Sequence, residues 1–101
     1  MKKAIWNDTV IAEANDENML RIEGNWYFPP ESMIQEYFSP SDYRTTCFWK
    51  GEAHYYDVTV DGQKNTYGAW YYPQPMDGSI ERVKGDFTKY VAFWNGIKVT
   101  S

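Results

Sequence analysis

Short apolar and aromatic runs alternate with turn residues along this chain, and wherever the runs have a readable period it is two. Ala4–Trp6 is an extended run closed by Asn7-Asp8, and Thr9–Ala14, with Val10 and Ile11, reads as its hairpin partner. Asn15–Asn18 is a polar turn. Met19–Glu23 sets Leu20 and Ile22 against Met19, Arg21 and Glu23, so one face of a strand is buried. Gly24-Asn25 breaks this run, and Trp26-Tyr27-Phe28 resumes it as far as Pro29-Pro30. Pro30–Met33 is expected to open one helical turn, because proline suits a first helical position. Tyr37-Phe38 is extended. Ser39-Pro40-Ser41-Asp42 is punctuation, with Ser41 or Asp42 capping a short turn.

Thr45–Phe48 and Gly51–Val60 read as strands flanking a bend at Lys50-Gly51. Asp61-Gly62 is the strongest turn signal in the chain, and Gln63–Trp70 is the strand that returns from it. Tyr71-Tyr72-Pro73-Gln74-Pro75 makes a proline-rich corner and Asp77-Gly78 a polar loop. Ser79–Gly85 is compatible with one short helix capped by Ser79. Thr88–Trp94 is expected to be the last long strand, with Ile97–Thr100 pairing back on it across Asn95-Gly96. The pattern predicts an all-β fold of two antiparallel sheets with at most one or two short helical turns, and a single domain over residues 1–101.

Composition strengthens this reading. Aromatic residues make up 19% of the chain and Leu20 is its only leucine, so strand formers outnumber helix formers. The net charge of −4 argues against a general binder of the phosphate backbone, and no nucleic-acid partner is expected. With one cysteine and one histidine the chain has neither a disulfide framework nor four ligands for structural zinc, so no metal and no cofactor are expected. The start, MKKAIWNDT, is followed by no apolar run, and no stretch approaches membrane-spanning length. The expectation is a cytoplasmic protein without membrane contact.

The candidate chemistry gathers in Thr45–Val60. Cys47 is a candidate nucleophile or redox centre, with Lys50 three and His54 seven residues on, although a lone thiol under aromatic cover is more often structural. Lys50, at a bend beside Trp49, is placed to hold a carboxylate or phosphate; the bland reading is a surface stem over a ring. His54, Tyr56 and Val58 share one face of their strand, leaving Tyr55 and Asp57 on the other. Asp57 is a candidate base, against a simple strand carboxylate. Trp70 and Tyr72 share a face, with Tyr71 opposite. Trp49, Tyr55, Trp70 and Tyr72 are therefore the candidate walls of a pocket, against a reading as plain core.

Tyr27-Phe28-Pro29-Pro30-Glu31-Ser32, Thr46-Cys47-Phe48-Trp49-Lys50-Gly51, Tyr55-Tyr56-Asp57-Val58, Ala69-Trp70-Tyr71-Tyr72-Pro73 and Val91-Ala92-Phe93 together resemble the domain of unknown function 427 family, in the family's block order and over almost the full length. The resemblance implies a β-tent, the fold of methionine-R-sulfoxide reductases and of the thalidomide-binding domain of cereblon. Such relatives hold zinc with two cysteine pairs, which this chain lacks, and take a small ligand in an aromatic cleft between the sheets. The family sometimes carries a nucleotidyltransferase label, but the chain has no glycine-rich phosphate loop and no paired acidic metal motif. Phe48 and His54 depart from the family pattern, which has proline and a small residue there. Three readings follow: a domain binding a small polar or planar ligand through Lys50 and the aromatic walls; an enzyme using Cys47 or Asp57 with Lys50 in a redox or transfer reaction; and an interaction module, including a homodimer, that pairs through a sheet edge or an aromatic patch.

Overall fold

Four two-residue turns set the strand order. Asn7-Asp8, Glu23-Gly24, Asp61-Gly62 and Asn95-Gly96 all have positive φ at both positions, between 51° and 88°. Turns of that hand match the twist of antiparallel strands, and Asn, Asp and Gly tolerate them best. Three of the four carry such residues throughout; the exception is Glu23. In the computed structural model, which describes residues 1–101, they join β1 (Lys2–Trp6) to β2 (Thr9–Ala14), β3 (Leu20–Ile22) to β4 (Asn25–Tyr27), and β6 (Gly51–Val60) to β7 (Gln63–Tyr71). The fourth follows β8 (Val91–Phe93) and leads to β9 (Lys98–Thr100). β5 (Phe38–Cys47) precedes β6 across the Phe48–Lys50 turn.

The fold is all-β and antiparallel. One sheet runs β2-β1-β9 and a larger one β5-β6-β7-β8. The β3–β4 hairpin joins the larger sheet beside β8, where Phe28 and Val91 exchange backbone hydrogen bonds of 2.8 and 2.9 Å. The larger sheet is buried on both faces. Val58, Val60, Ala69, Val91 and Phe93 pack with Ala4, Ile11 and Ala12 of the smaller sheet and with Phe28 in the main core. The alternate residues Tyr55, Tyr72 and Ala92 face a second core with Tyr27, Ala53 and Phe87. Strict alternation explains the division: Ala69 and Tyr71 look one way, Trp70 and Tyr72 the other. Full burial of a ring the size of Phe28 or Phe87 contributes about 1.5–3 kcal/mol.

Three expectations change. Ser39-Pro40-Ser41-Asp42 does not end a strand; it lies inside β5 as an irregularity, where the register against β6 shifts between Pro40 and Arg44. Proline cannot donate to the ladder, so a bulge is where a strand accommodates it. Helical turns are more numerous than one or two: Asp16–Asn18, Pro30–Ser32 and Gln35–Tyr37 are single 3₁₀ turns, and α1 spans Ser79–Val83. Ser79 does not cap α1: that position belongs to Gly78, and the Ser79 hydroxyl donates to the Met76 carbonyl at 2.6 Å. Finally, the last strand is short, and Ile97–Thr100 does not fold back on it. Lys89 turns at φ 63°, the Tyr90 amide bonds to Phe87, and the ladder starts only at Val91. Beyond the Asn95-Gly96 turn the chain crosses to the smaller sheet, where Val99 pairs with Ala4 of β1. The Asn65 side chain holds the turn on β7 by donating to the Asn95 carbonyl at 2.9 Å.

Candidate functional site

Lys50 is placed by its neighbour. Gly51 has φ 117°, and a Cβ there would meet the Gln74 carbonyl oxygen at 3.1 Å. A residue without a side chain therefore lets the 74–76 segment lie against the turn, where the Met76 amide donates to the Lys50 carbonyl at 2.9 Å. This closes the β5–β6 turn and sends the Lys50 side chain into the second core, where it is 8% exposed.

Buried ammonium groups need partners. Lys50 finds one in Glu23, 27 positions earlier, whose carboxylate accepts its hydrogen bond from the tip of the β3–β4 turn. Two ring faces flank the ammonium, Trp49 at 5.3 Å and Tyr72 at 5.4 Å from its nitrogen to their centroids. Burial pulls the lysine's pKa down, but the hydrogen bond to Glu23 and the charge of that carboxylate help to leave the pKa above the ordinary value. Glu23 is held below the usual carboxylate range, first by the hydrogen bond from Lys50 and then by its charge, with Arg82 adding a smaller effect. Burial raises the pKa of Tyr72 strongly and that of Tyr27 as well, so both stay neutral phenols.

Lys50, Tyr55, Trp70, Tyr72 and Trp94 line one cavity of about 230 Å³, open on one side. Four of these are residues that the sequence singles out, and alternation along β6 and β7 delivers three of them. Trp70 is fixed from below by its indole N–H, which donates to the Tyr27 hydroxyl at 3.2 Å, and from the side by the edge of Trp94 at 5.9 Å. Tyr55 continues the aromatic surface: Tyr43 lies 4.8 Å from it and stacks on Tyr67 at 4.3 Å. Its hydroxyl is 3.0 Å from that of Thr45.

The other sequence candidates lie elsewhere. Trp49 stands on the far side of Lys50, with the Arg82 guanidinium 4.3 Å from its ring centroid, and borders a neighbouring hollow of about 260 Å³ that also contains Glu23, Arg21 and Arg82. Asp57 is not brought to Lys50. It occupies the irregularity between β6 and β7, accepts the Tyr67 amide at 2.9 Å and pairs with Lys64 at 3.3 Å. That placement accounts for its burial, because Tyr67 turns at φ 59° and its N–H leaves the ladder. Cys47 is a free thiol, half-buried at the end of β5 against the second core. His54 is on the opposite face, bonded to Glu52 at 2.9 Å and edge-on to Tyr71. No three His, Cys, Asp or Glu side chains converge as a metal centre, and no helix is long and apolar enough to cross a membrane.

Sequence reasoning missed Glu23, Tyr27, Trp94 and Arg82. Only Glu23 left a signal, as a non-Asn, non-Gly residue beside Gly24 in a turn. A family model described as a domain of unknown function, DUF427, matches residues 2–100, and the chain belongs to that family. No curated protein matches the chain.

Proposed function

We propose that this member of the DUF427 family binds a small planar or polar ligand in the cleft walled by Tyr55, Trp70, Tyr72 and Trp94, with Lys50 orienting it. The observation that carries this reading is the convergence of those four rings and one buried cation on a single cavity. Ligand sites combine apolar, aromatic walls with a few polar groups that set orientation, and this cavity has that composition. Its volume, about 230 Å³, is below the usual range for drug-sized ligands and suits one ring system with one polar substituent. The redox or transfer alternative has to draw on Cys47 and Lys50 alone, since Asp57 is engaged by Tyr67 and Lys64. A roomier, open hollow of about 730 Å³ beside Gly51, His54 and Lys89 has Met76 as its apolar contact and no comparable aromatic enclosure.

The test is a thermal-shift screen of nucleotides, organic acids and planar heterocycles on the parent, Trp94→Ala and Lys50→Ala proteins. A ligand at about one hundred times its Kd stabilises by about 2.7 kcal/mol, which is easily read. The expected result is a hit whose stabilisation disappears in Trp94→Ala, a variant whose side chain is 46% exposed and whose loss leaves the core intact. A hit that stabilises both variants as much as the parent binds elsewhere, and the reading fails.

A further inference from the structure

We propose that the cleft takes a planar aromatic carboxylate, and that the ligand's carboxylate replaces Glu23 on Lys50 while Glu23 moves over to Arg82. This names the ligand class of the site just described and rests on that reading.

Three observations lead to it. First, the cavity's one charged wall is a cation that already carries an anion. Lys50 is nearly buried, while the carboxylate on it belongs to a side chain that is 54% exposed. The carboxylate therefore leaves into water at little cost, whereas the ammonium cannot leave the ring faces of Trp49 and Tyr72. A cationic ligand would meet Lys50's charge, and a neutral one would leave the Lys50–Glu23 pair as it is. An anion with a flat apolar body matches both the charge and the walls.

Second, Glu23 has somewhere to go. It shares the neighbouring hollow with Arg82 and Arg21, and the Arg82 charge already acts on its carboxylate. Arg82 is held in place by stacking on Trp49, whose other neighbour is Lys50. Glu23 thus has two cations within reach of one turn, a buried one on the cleft side and an exposed one on the hollow side.

Third, Glu23 sits where glutamate is a poor local choice. Its φ of 52° falls in the left-handed region, which Asn, Asp or Gly would occupy with less strain. Local turn chemistry does not ask for this residue; its reach to Lys50 does.

The experiment is calorimetric titration of 2-naphthoate, 2-naphthamide and inorganic phosphate into the parent, Glu23→Gln, Arg82→Met and Trp94→Ala proteins, plus the Glu23→Gln/Arg82→Met double variant. In the parent the acid binds at least about fivefold tighter than the amide, the lower edge of ordinary coupling between groups. Glu23→Gln tightens the acid by about fivefold or more and leaves the amide unchanged. Arg82→Met weakens the acid in the parent background and not beside Glu23→Gln, because a glutamate without its second partner holds Lys50 harder. Phosphate, with no ring to fill the walls, binds far more weakly than the acid. Equal binding of acid and amide, both lost in Trp94→Ala, overturns this inference and leaves the cleft reading standing. Binding of neither compound overturns both. An acid that Glu23→Gln fails to tighten, or phosphate binding as well as the acid, overturns the exchange.

Discussion

Cutting the Lys50–Glu23 pair from its two ends should have opposite consequences. Glu23→Gln removes the carboxylate and strands an ammonium whose side chain is 8% exposed under two rings. A hydrogen bond to a charged group contributes about 1.5–3 kcal/mol when well shielded. Glu23 is 54% exposed, so solvent screening reduces the figure to about 1 kcal/mol. In a domain of this size that lowers Tm by about 4–8 °C. Lys50→Met removes the buried charge instead. Methionine keeps the unbranched stem, its sulfur makes favourable contacts with aromatic rings, and the released carboxylate returns to water. Replacing a buried ion by an apolar residue of similar shape is often neutral or stabilising, so Lys50→Met is expected within about 0.5 kcal/mol of the parent in either direction.

Urea titrations of the parent and both variants measure this, with the midpoint moving and the slope unchanged. The pH dependence adds a second readout. Glu23 has a lowered pKa when folded, so the unfolded chain binds more protons and stability rises with pH. Its contribution is complete above the ordinary value of 4.5 and is lost as pH falls through that value and below it. Lys50 has a raised pKa, so its contribution is complete below 10.5 and is lost as pH climbs past it. The gap between parent and Glu23→Gln is therefore flat near neutrality and closes in acid. Lys50→Met costing more than Glu23→Gln, or a Glu23→Gln gap of unchanged size at acid pH, would refute the reasoning.

Gly51→Ala forces a Cβ to 3.1 Å from the Gln74 carbonyl at a φ that side chains rarely adopt, and should cost about 1–3 kcal/mol in urea unfolding. Asp57→Ala strands the Tyr67 amide and should cost about 1–3 kcal/mol, while Lys64→Ala, at the exposed end of the same pair, should change the midpoint by less than about 0.5 kcal/mol. Phe48→Ser, at an 85% exposed ring, should leave stability within about 0.5 kcal/mol; a drop in sedimentation coefficient for this variant would support the homodimer alternative.

The fold and one wall of the site were legible in the sequence because both follow from local periods. The two-residue period from His54 to Val58 and from Ala69 to Tyr72 assigns faces, and the structure keeps those faces. The turns at Asn7-Asp8 and Asp61-Gly62 were readable because their residues accept positive φ. What escaped depends on contacts that no period encodes. Glu23 reaches Lys50 because the β3–β4 hairpin docks beside β8 through Phe28 and Val91, a pairing between segments some sixty positions apart. Trp94 enters the cleft because β8 ends on β7, with the Trp94 amide bonded to Gly68 and its indole to the Tyr67 carbonyl. Asn95-Gly96 misled because its dihedral angles are those of a hairpin, while the strand after it goes to the other sheet. A turn type fixes the direction of the chain, and the buried faces of Ile97 and Val99 decide where it lands.

Lys50 itself shows how far stability and ligand binding can be separated. If methionine fits the same place at no cost, the lysine is not there to hold the second core together. Its charge is then costly to bury, and a glutamate in a turn that disfavours it offsets that cost, while an arginine stacked on the tryptophan shares the neighbouring hollow with that glutamate. Three charged groups around one indole form an arrangement with two possible pairings for Glu23 and one fixed cation for a ligand. A purely structural ion pair would give the same difference in stability and leave Glu23→Gln and Lys50→Met alike in binding naphthoate. The exchange makes their binding differ, the first a tighter binder of naphthoate, the second indifferent to the ligand's charge.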